Sequence, residues 1–159
     1  MFYRNKWKKG FLGVSLILLL VGLAGCQSTA VKSPADASAA STVKVQVTKG
    51  ERYSSKEQVA AYIREFRTLP PNYITKADAQ KVGWDSAKGN LWKVTDRKSI
   101  GGDHYGNREG LLPKANGRQY YECDIDYAGG HRGAKRIVYS SDGLVFYTDD
   151  HYKTFKQLY

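Results

Sequence analysis

The sequence predicts an α+β fold, with helices in the first part of the folded domain and an antiparallel β-sheet in the second part. Between residues 54 and 83, apolar side chains recur at the spacing of an amphipathic helix. From residue 118 onward, apolar and polar side chains alternate, as in a strand with one covered face. Helices followed by a run of strands, without regular alternation of the two, indicate the α+β class.

The first 25 residues are predicted to be an export signal that is not part of this domain. MFYRNKWKKG contains four basic residues and no acid, and it precedes FLGVSLILLLVGLA, a stretch of 14 mostly apolar residues. A helix of that length spans about 21 Å, which is short of the ~30 Å hydrocarbon core of a bilayer. An uncleaved membrane anchor stays open as an alternative.

The apolar stretch ends in LAGC, residues 23–26, which resembles the lipobox of bacterial lipoproteins. The resemblance implies lipidation of the Cys26 thiol, cleavage just before Cys26, and a membrane-anchored protein outside the cytoplasm. The alternative is an ordinary secretory signal cut near Ser28, which would release a secreted protein.

A flexible tether is predicted over residues 26–50, followed by one folded domain over residues 51–159. Eleven of the sixteen residues from 27 to 42 are Ser, Thr or Ala, a composition typical of linkers. Without residues 1–25 the chain keeps 21 basic and 15 acidic residues, so we expect a polyanionic partner, either nucleic acid or an anionic surface. No metal-ligand spacing occurs among the two cysteines and three histidines, so neither a metal nor another cofactor is expected.

Three helical segments are predicted in order along the domain. The first begins at the capping-box spacing Ser54–Glu57 and ends before Pro70. The second follows the N-cap Thr75 and ends at Gly83, and a short turn is expected near Asn90–Val94. The apolar stripe of the first helix comprises Val59, Tyr62, Ile63 and Phe66.

A loop is predicted over residues 101–113, GGDHYGNREGLLP, because this stretch is too polar and too Gly-rich for a helix or a buried strand. Strands are predicted in RQYYECDIDYA, AKRIVYSS and GLVFYT, the last two joined by a tight turn at residues 141–143, and the C-terminal tail is a candidate for another. In the first strand one face is expected to be covered and the other polar. The polar face comprises Tyr120, Glu122, Asp124 and Asp126, and the covered face comprises Tyr121, Cys123, Ile125 and Tyr127.

Five residues on these elements could together form an acid–base site. They are a carboxylate, an imidazole and three cations, namely Glu122, His151, Lys76, Arg132 and Arg136. Taken singly, each is more simply a solvated surface charge. Together they can remove a hydroxyl proton, protonate a leaving oxygen and stabilise charge on a phosphate, with no metal.

Several motifs in fixed order resemble the barnase family of secreted bacterial ribonucleases. They are NYITKADAQ at 72–80, SAKGNL at 86–91, KSIGGD at 98–103, NREGLLP at 107–113, RIVYSSD at 136–142 and DHYKTF at 150–155. The resemblance runs from about residue 53 to the C-terminus. It implies N-terminal helices packed on an antiparallel sheet, and cleavage of single-stranded RNA after guanine through a 2′,3′-cyclic phosphate.

The same resemblance assigns roles to the catalytic candidates. Glu122 would be the general base and His151 the general acid. The cations Lys76, Arg132 and Arg136 would hold the phosphate and its transition state. Tyr152 would help to pack the substrate pocket.

The resemblance also assigns base recognition to the loop at 106–110. The carboxylate of Glu109 would accept hydrogen bonds from two adjacent donors of guanine, and backbone N–H groups around Asn107 and Arg108 would meet the carbonyl of the base. Four positions depart from the family pattern and put base selectivity and stability in question. Gly106 replaces a serine, Tyr105 and His131 replace phenylalanines near the base site, and Gly143 replaces a tryptophan.

Two other functions are compatible with the residues themselves. One is a ribonuclease-like module that binds RNA without cleaving it, and the other is a cell-wall glycosidase that uses Glu122 and Asp124 as its carboxylate pair. The intact pair of Glu122 and His151 argues against the first, and the cations argue against the second. The family resemblance further suggests a monomer that binds single-stranded RNA and is controlled by an acidic, barstar-like protein inhibitor.

Overall fold

The computed structural model describes residues 45–159, so the predicted signal, Cys26 and most of the tether lie outside the described residues. Within residues 45–159 no helix is long and apolar enough to cross a membrane. The elements are α1 Lys56–Phe66, β1 Tyr73–Ile74, α2 Lys76–Lys81, a 3₁₀ turn Ser86–Lys88, α3 Leu91–Val94, β2 Ser99–Tyr105, β3 Tyr120–Asp124, β4 Arg136–Ser140, β5 Val145–Thr148 and β6 Lys156–Gln157.

Helix α1 has the expected apolar stripe, but its cap lies one residue later than the sequence prediction. Ser55, and not Ser54, is the N-cap, and its hydroxyl accepts a hydrogen bond from the backbone N–H of Gln58. Gln58 Oε1 also accepts from the Ser55 hydroxyl at 2.8 Å, so the Ser55–Gln58 pair caps the helix in place of the predicted Ser54–Glu57 pair. The helix ends at Arg67, which adopts a left-handed φ of 56°.

The two shorter helices begin where the sequence predicts. Thr75 caps α2 by accepting from the N–H of Asp78 at 3.1 Å, and Gly83 follows the helix with a φ of 97°. Asn90 precedes α3 and ties the turn before it, because its side chain donates to the carbonyl of Gly83. These helices enclose an apolar cluster of Ala79, Trp84, Leu91, Ile100 and Tyr127.

The six strands form one sheet in the order β1-β2-β3-β4-β5-β6. All neighbours are antiparallel except β1 and β2, which are parallel. Strand β1, which lies between α1 and α2, was not predicted, because a two-residue strand is too short to show an alternating period. Strand β6 confirms that the C-terminal tail adds to the sheet.

The prediction of a loop over residues 101–113 is wrong for its first five residues, which belong to β2. Strand β2 accommodates its glycines through a bulge, where the pairing with β3 shifts between Gly101 and Asp103. A Cβ on Gly101 would lie 2.5 Å from the Cβ of Cys123 and 2.7 Å from Cδ1 of Tyr73. The glycine is therefore required by close packing inside a strand, and it does not mark a loop.

The main core lies between α1 and one face of the sheet. Val59, Ala60 and Ile63 of the helix pack against Cys123, Ile125, Ile137 and Val145 of the strands. Burial raises the pKa of the Cys123 thiol well above its ordinary value, which agrees with its expected place as a small apolar core residue.

The opposite face of β3 differs from its prediction. This face was predicted to be polar, and Glu122 and Asp124 do lie on it, but they are only 6% and 2% exposed. The reason is that β3 is an inner strand, so side chains from its neighbours and from the following loops cover this face as well. We call this the open face, because α1 packs on the opposite face of the sheet.

Candidate active site

Strand register places the candidate residues in two adjacent rows across the open face. One row runs Asp103, Glu122, Val138, Phe146 through paired positions of β2, β3, β4 and β5. The next row runs Asp124, Arg136, Thr148. Below Glu122 lies an apolar floor of Leu112, Tyr120, Val138 and Phe146, with Tyr105, Tyr152 and Phe155 packed on it.

Glu122 is held at both carboxylate oxygens. Lys76 Nζ donates to Oε1 at 2.5 Å, and the Tyr152 hydroxyl donates to Oε2 at 2.5 Å. Burial by itself raises the pKa of Glu122, but the hydrogen bonds from Lys76 and Tyr152 and the positive charges of Lys76 and Arg132 outweigh it, so the net pKa is lowered. Glu122 is therefore ionised at neutral pH and ready to accept a proton.

Asp124 fixes both arginines of the site. Arg132 donates to it through Nε and Nη2, each at 2.7 Å, and Nε of Arg136 lies 2.9 Å from the same carboxylate. Arg136 also donates through Nη1 to the carbonyls of Gly133 and Lys135. Because Asp124 is buried between two guanidinium groups, it is not available as the second carboxylate of a glycosidase pair.

Each arginine keeps one terminal nitrogen for a ligand. Nη1 of Arg132 and Nη2 of Arg136 make no hydrogen bond within residues 45–159. No fully buried side-chain nitrogen or oxygen of this region lacks a partner, and Arg136 as a residue is only 3% exposed. Guanidinium donors held in place by a carboxylate suit the oxygens of a phosphate group.

His151 lies in the turn between β5 and β6, exposed to solvent and beside Tyr152, with 4.9 Å between the ring centres. Both residues have left-handed backbone angles, with φ of 60° and 71°. Asp150 stabilises this unusual turn, because its carboxylate accepts from the backbone N–H groups of Lys153 and Thr154 and from the Thr154 hydroxyl. Strained backbone held by surrounding hydrogen bonds is frequent at functional sites.

The position of Lys76 depends on a residue whose role was not predicted from the sequence, Asp103. Asp103 accepts from the backbone N–H of Lys76 with both carboxylate oxygens, at 3.2 and 3.0 Å, and so ties α2 to the bulged strand β2. Asp103 is the register partner of Glu122, which brings Lys76 close to Glu122. Asp103 is the last residue of the GGD stretch at 101–103, but no rule of sequence spacing connects Asp103 to Lys76, which lies 27 positions away.

The predicted recognition loop is a closed turn. The side chain of Asn107 donates to the carbonyl of Leu112 at 2.9 Å and accepts from its N–H at 3.0 Å. Asn107 itself has a φ of 42°. Arg108 and Glu109 are exposed, so they are free to meet a ligand.

Tyr105 connects this loop to the catalytic candidates. Its ring stacks on Tyr152, with centres 5.4 Å apart. Burial raises the pKa of Tyr105, and the charges of Glu109 and Glu122 raise it further, so both carboxylates lie within electrostatic range of its hydroxyl. Tyr105 is therefore close enough to both predicted site carboxylates, Glu109 and Glu122, for their charges to affect its pKa.

The structure thus brings Lys76, Glu122, Arg132 and Arg136 together on the open face through their contacts with Glu122 and Asp124, and it places His151 in the turn beside Tyr152. The sequence did not indicate that three carboxylates orient the site, namely Asp103, Asp124 and Asp150. These residues act by positioning other groups, and no sequence motif marks that role. The hydrogen bond from Tyr152 to Glu122 was also missed, since the two are 30 positions apart.

Comparison with known proteins agrees with this geometry. A family model described as ribonuclease matches residues 56–159. Over 100 residues, or 63% of this chain, the sequence is 53% identical to ribonucleases of Heyndrickxia coagulans and Bacillus intermedius, covering 92% and 62% of those proteins. It is also 41% identical over 56 residues, 35% of this chain and 55% of the relative, to guanyl-specific ribonuclease St of Saccharopolyspora erythraea. The chain therefore belongs to the barnase-like microbial ribonucleases, a family of RNA-cleaving enzymes.

Proposed function

We propose that this chain is a guanine-preferring endoribonuclease that cleaves single-stranded RNA without a metal. The observation that carries the proposal is the ionised carboxylate of Glu122, held by Lys76 and Tyr152 beside two arginines that each keep a free donor. Guanine preference is supported by the exposed Glu109 in a closed loop and by the name of the guanyl-specific relative.

Cleavage proceeds in two steps. In the first, Glu122 takes the proton of the ribose 2′-OH as its oxygen attacks the adjacent 3′ phosphorus, and His151 gives a proton to the departing 5′ oxygen. This forms a 2′,3′-cyclic phosphate. In the second, water replaces the leaving nucleoside, His151 takes its proton, and Glu122 returns a proton to the 2′ oxygen. Arg132, Arg136 and Lys76 stabilise the charge on the phosphoryl oxygens in both steps.

A digest of defined-sequence RNA tests the reaction. We expect the purified chain, residues 27–159, to cleave single-stranded RNA after guanine in excess EDTA and to release the cyclic phosphate before the 3′-monophosphate. A 2′-deoxy sugar at the cleaved position should stop the reaction, and Glu122→Gln should lose most of the rate. RNA binding without any product would favour the non-catalytic module instead, and a strict need for a divalent ion would contradict the mechanism.

We also propose export and control by a partner. The predicted signal and lipobox at residues 1–26 would place the enzyme outside the cytoplasm, where replacement of Cys26 by Ala should abolish lipid labelling. An active ribonuclease inside the cell would attack host RNA, which suggests an acidic protein inhibitor that covers the cationic open face. Its association rate should fall with added salt.

A further inference from the structure

Arg132 lies in a loop whose own sequence does little to fix its shape. Residues 128–133, AGGHRG, lie between β3 and β4, and we call them the glycine-rich loop. Gly129 and Gly130 both adopt left-handed backbone angles, with φ of 87° and 73°. Glycine loses more conformational freedom on folding than any other residue, so two in succession need contacts from outside to hold one conformation. The position of Arg132 therefore depends on what packs against this loop.

Trp92 of α3 packs directly against the glycine-rich loop. A Cβ on Gly129 would lie 2.7 Å from Cε3 of the indole and 3.2 Å from its Cδ2 and Cζ3. All three atoms belong to the six-membered ring, so this ring lies on the bare backbone of Gly129. No side chain larger than that of glycine fits between the two without displacing one of them.

The indole of Trp92 is itself held in place. Its Nε1 donates to the carbonyl of Lys98 at 3.0 Å, just before β2, and its ring packs edge-on against Tyr127, with ring centres 5.5 Å apart. Trp92 is half-buried and packs on the apolar cluster that contains Trp84. A directional hydrogen bond together with this packing fixes the plane of the ring, so Trp92 is a rigid support for the loop.

Two further contacts reach the loop at the next residue. The Tyr127 hydroxyl donates to the carbonyl of Gly130 at 2.8 Å. Gly89 follows the 3₁₀ turn and comes so close that a Cβ on it would lie 2.7 Å from the carbonyl carbon of Gly130 and 2.9 Å from the backbone nitrogen of His131. The backbone of residues 129–131 is thus contacted by three separate elements, immediately before Arg132.

Arg132 connects these contacts to the proposed chemistry. It donates through Nε and Nη2 to Asp124, each at 2.7 Å, and its positive charge contributes to the lowered pKa of Glu122. Both effects require the loop backbone to stay at a set distance from β3. Within residues 45–159, Trp92 forms no hydrogen bond with a catalytic candidate, so it can act on the reaction only through other residues.

We propose that Trp92 is a positioning residue, which places Arg132 for catalysis by supporting the glycine-rich loop at Gly129. The inference rests on the proposed ribonuclease function and deepens it. Asp124 sets the direction of the guanidinium group, and Trp92 sets the position of the backbone that carries it. Electrostatic stabilisation of a transition state depends on donors that are already in place, so a small displacement of the loop has a large effect on the rate.

Steady-state kinetics on the dinucleotide GpU test this role. Trp92→Ala should lower kcat/KM about 10- to 100-fold, because a shift of about 1 Å in a positioned group has effects of that size. Since the charge of Arg132 helps to keep Glu122 ionised, the pKa of Glu122 should rise in this variant, and the acid limb of the pH profile should move to higher pH. In the background of Arg132→Ala, the same Trp92 substitution should change kcat/KM by no more than about twofold.

The matched control is Trp84→Ala. Trp84 belongs to the same apolar cluster, but the three atoms nearest to a Cβ on Gly129 all come from Trp92. At a temperature where circular dichroism shows both variants to be folded, Trp84→Ala should keep the acid limb and most of kcat/KM. Equal kinetic losses in the two variants, an unmoved acid limb in Trp92→Ala, or an undiminished effect of Trp92→Ala in the Arg132→Ala background would overturn the proposal.

A pair of glycine variants tests the same contact if the tryptophan variants do not fold. Gly129→Ala and Gly130→Ala introduce similar backbone strain, because both glycines have a positive φ. Only the first forces a Cβ against Trp92, since a Cβ on Gly130 meets no atom within 4 Å. Gly129→Ala should therefore lower kcat/KM and move the acid limb to higher pH, and Gly130→Ala should have a much smaller effect. Equal effects would show that backbone strain, and not the support by Trp92, controls the loop, and the proposal would fail.

The NMR signal of the Arg132 Nε–H group keeps the test independent of cleavage. In the unaltered protein, the hydrogen bond to Asp124 should slow the exchange of this proton with water. Trp92→Ala and Gly129→Ala should both speed the exchange, and unchanged exchange in both would overturn the proposal. If the unaltered protein cleaves no RNA while the exchange responds as expected, the proposed function fails and the positioning role of Trp92 stands.

Discussion

At the scale of single residues, the protonation state of Glu122 depends on two hydrogen-bond donors, Lys76 and Tyr152. Its carboxylate is almost fully covered, and without Lys76 and Tyr152 that burial would favour the protonated form. Asp124 holds Arg132 and Arg136 in place, and these two arginines add positive charge to the same site. The residue types were predictable from the sequence, but their protonation depends on contacts between distant positions.

The pH dependence of cleavage reports this arrangement. Glu122 must be ionised and His151 protonated for the first step, so kcat/KM should follow a bell against pH, with the acid limb set by Glu122. Tyr152→Phe removes a hydrogen bond that stabilises the ionised form, so the pKa of Glu122 should rise and the acid limb should move to higher pH. The alkaline limb should stay in place.

The matched control is Tyr147→Phe, which removes a phenol from the helix-covered face and should leave both limbs unchanged. An acid limb at the same pH in Tyr152→Phe and in the unaltered enzyme would show that another group sets it.

The proposed selection of guanine depends on a single residue, Glu109. Glu109→Gln replaces an acceptor oxygen with a donor, which would face the two donors of guanine. We expect cleavage after guanine to fall more than cleavage after adenine, measured on RNAs that differ only at that base. Glu65→Gln changes another exposed carboxylate, on α1, and should alter neither rate. Equal losses at all bases in Glu109→Gln would remove Glu109 from recognition.

At the scale of elements, strand β2 is where prediction from the sequence was least successful. The glycines of β2 led to the prediction of a loop, because hydrophobic periodicity and composition depend only on residues that are near each other in the sequence. In the structure, Gly101 packs against Cys123 and Tyr73, and the bulge turns Asp103 toward Lys76. The glycines that allow β2 to form are therefore also the reason why the strand that orients Lys76 was not predicted.

A pair of glycine substitutions tests the packing of β2. Gly101→Ala places a Cβ 2.5 Å from Cys123, so we expect a loss of about 1–3 kcal/mol in the free energy of unfolding, and lower activity through displacement of Asp103. Gly133→Ala adds a Cβ that meets no atom within 4 Å and should change stability little. Urea unfolding measures both variants, and equal stability of the two would contradict the packing requirement.

At the scale of the whole molecule, Asp124 joins β3, β4 and the segment between them. Its register partner is Arg136, and Arg132 reaches it from the connecting segment. Both the stability of the sheet and the orientation of Arg132 and Arg136 therefore depend on one buried carboxylate.

Asp124→Asn should be strongly destabilising, because it leaves the buried guanidinium of Arg136 without its counter-charge. We expect a loss of about 3–5 kcal/mol in thermal or urea unfolding. The control is Asp126→Asn, which breaks only the half-exposed pair with Lys135 and should cost about 1 kcal/mol or less. A loss in Asp124→Asn as small as that in the control would show that the three-way ion pair is dispensable.

The sequence alone determined the class of the fold, the order of most elements and the identity of the catalytic candidates, because amphipathic period, capping residues and motif order are local properties of the chain. Only the tertiary structure decided which residues hold those candidates. Asp103 meets Lys76, Tyr152 meets Glu122, and Asp124 meets both arginines through strand register and turn geometry. Register and burial depend on pairing between segments far apart in the chain, so no local pattern can specify them.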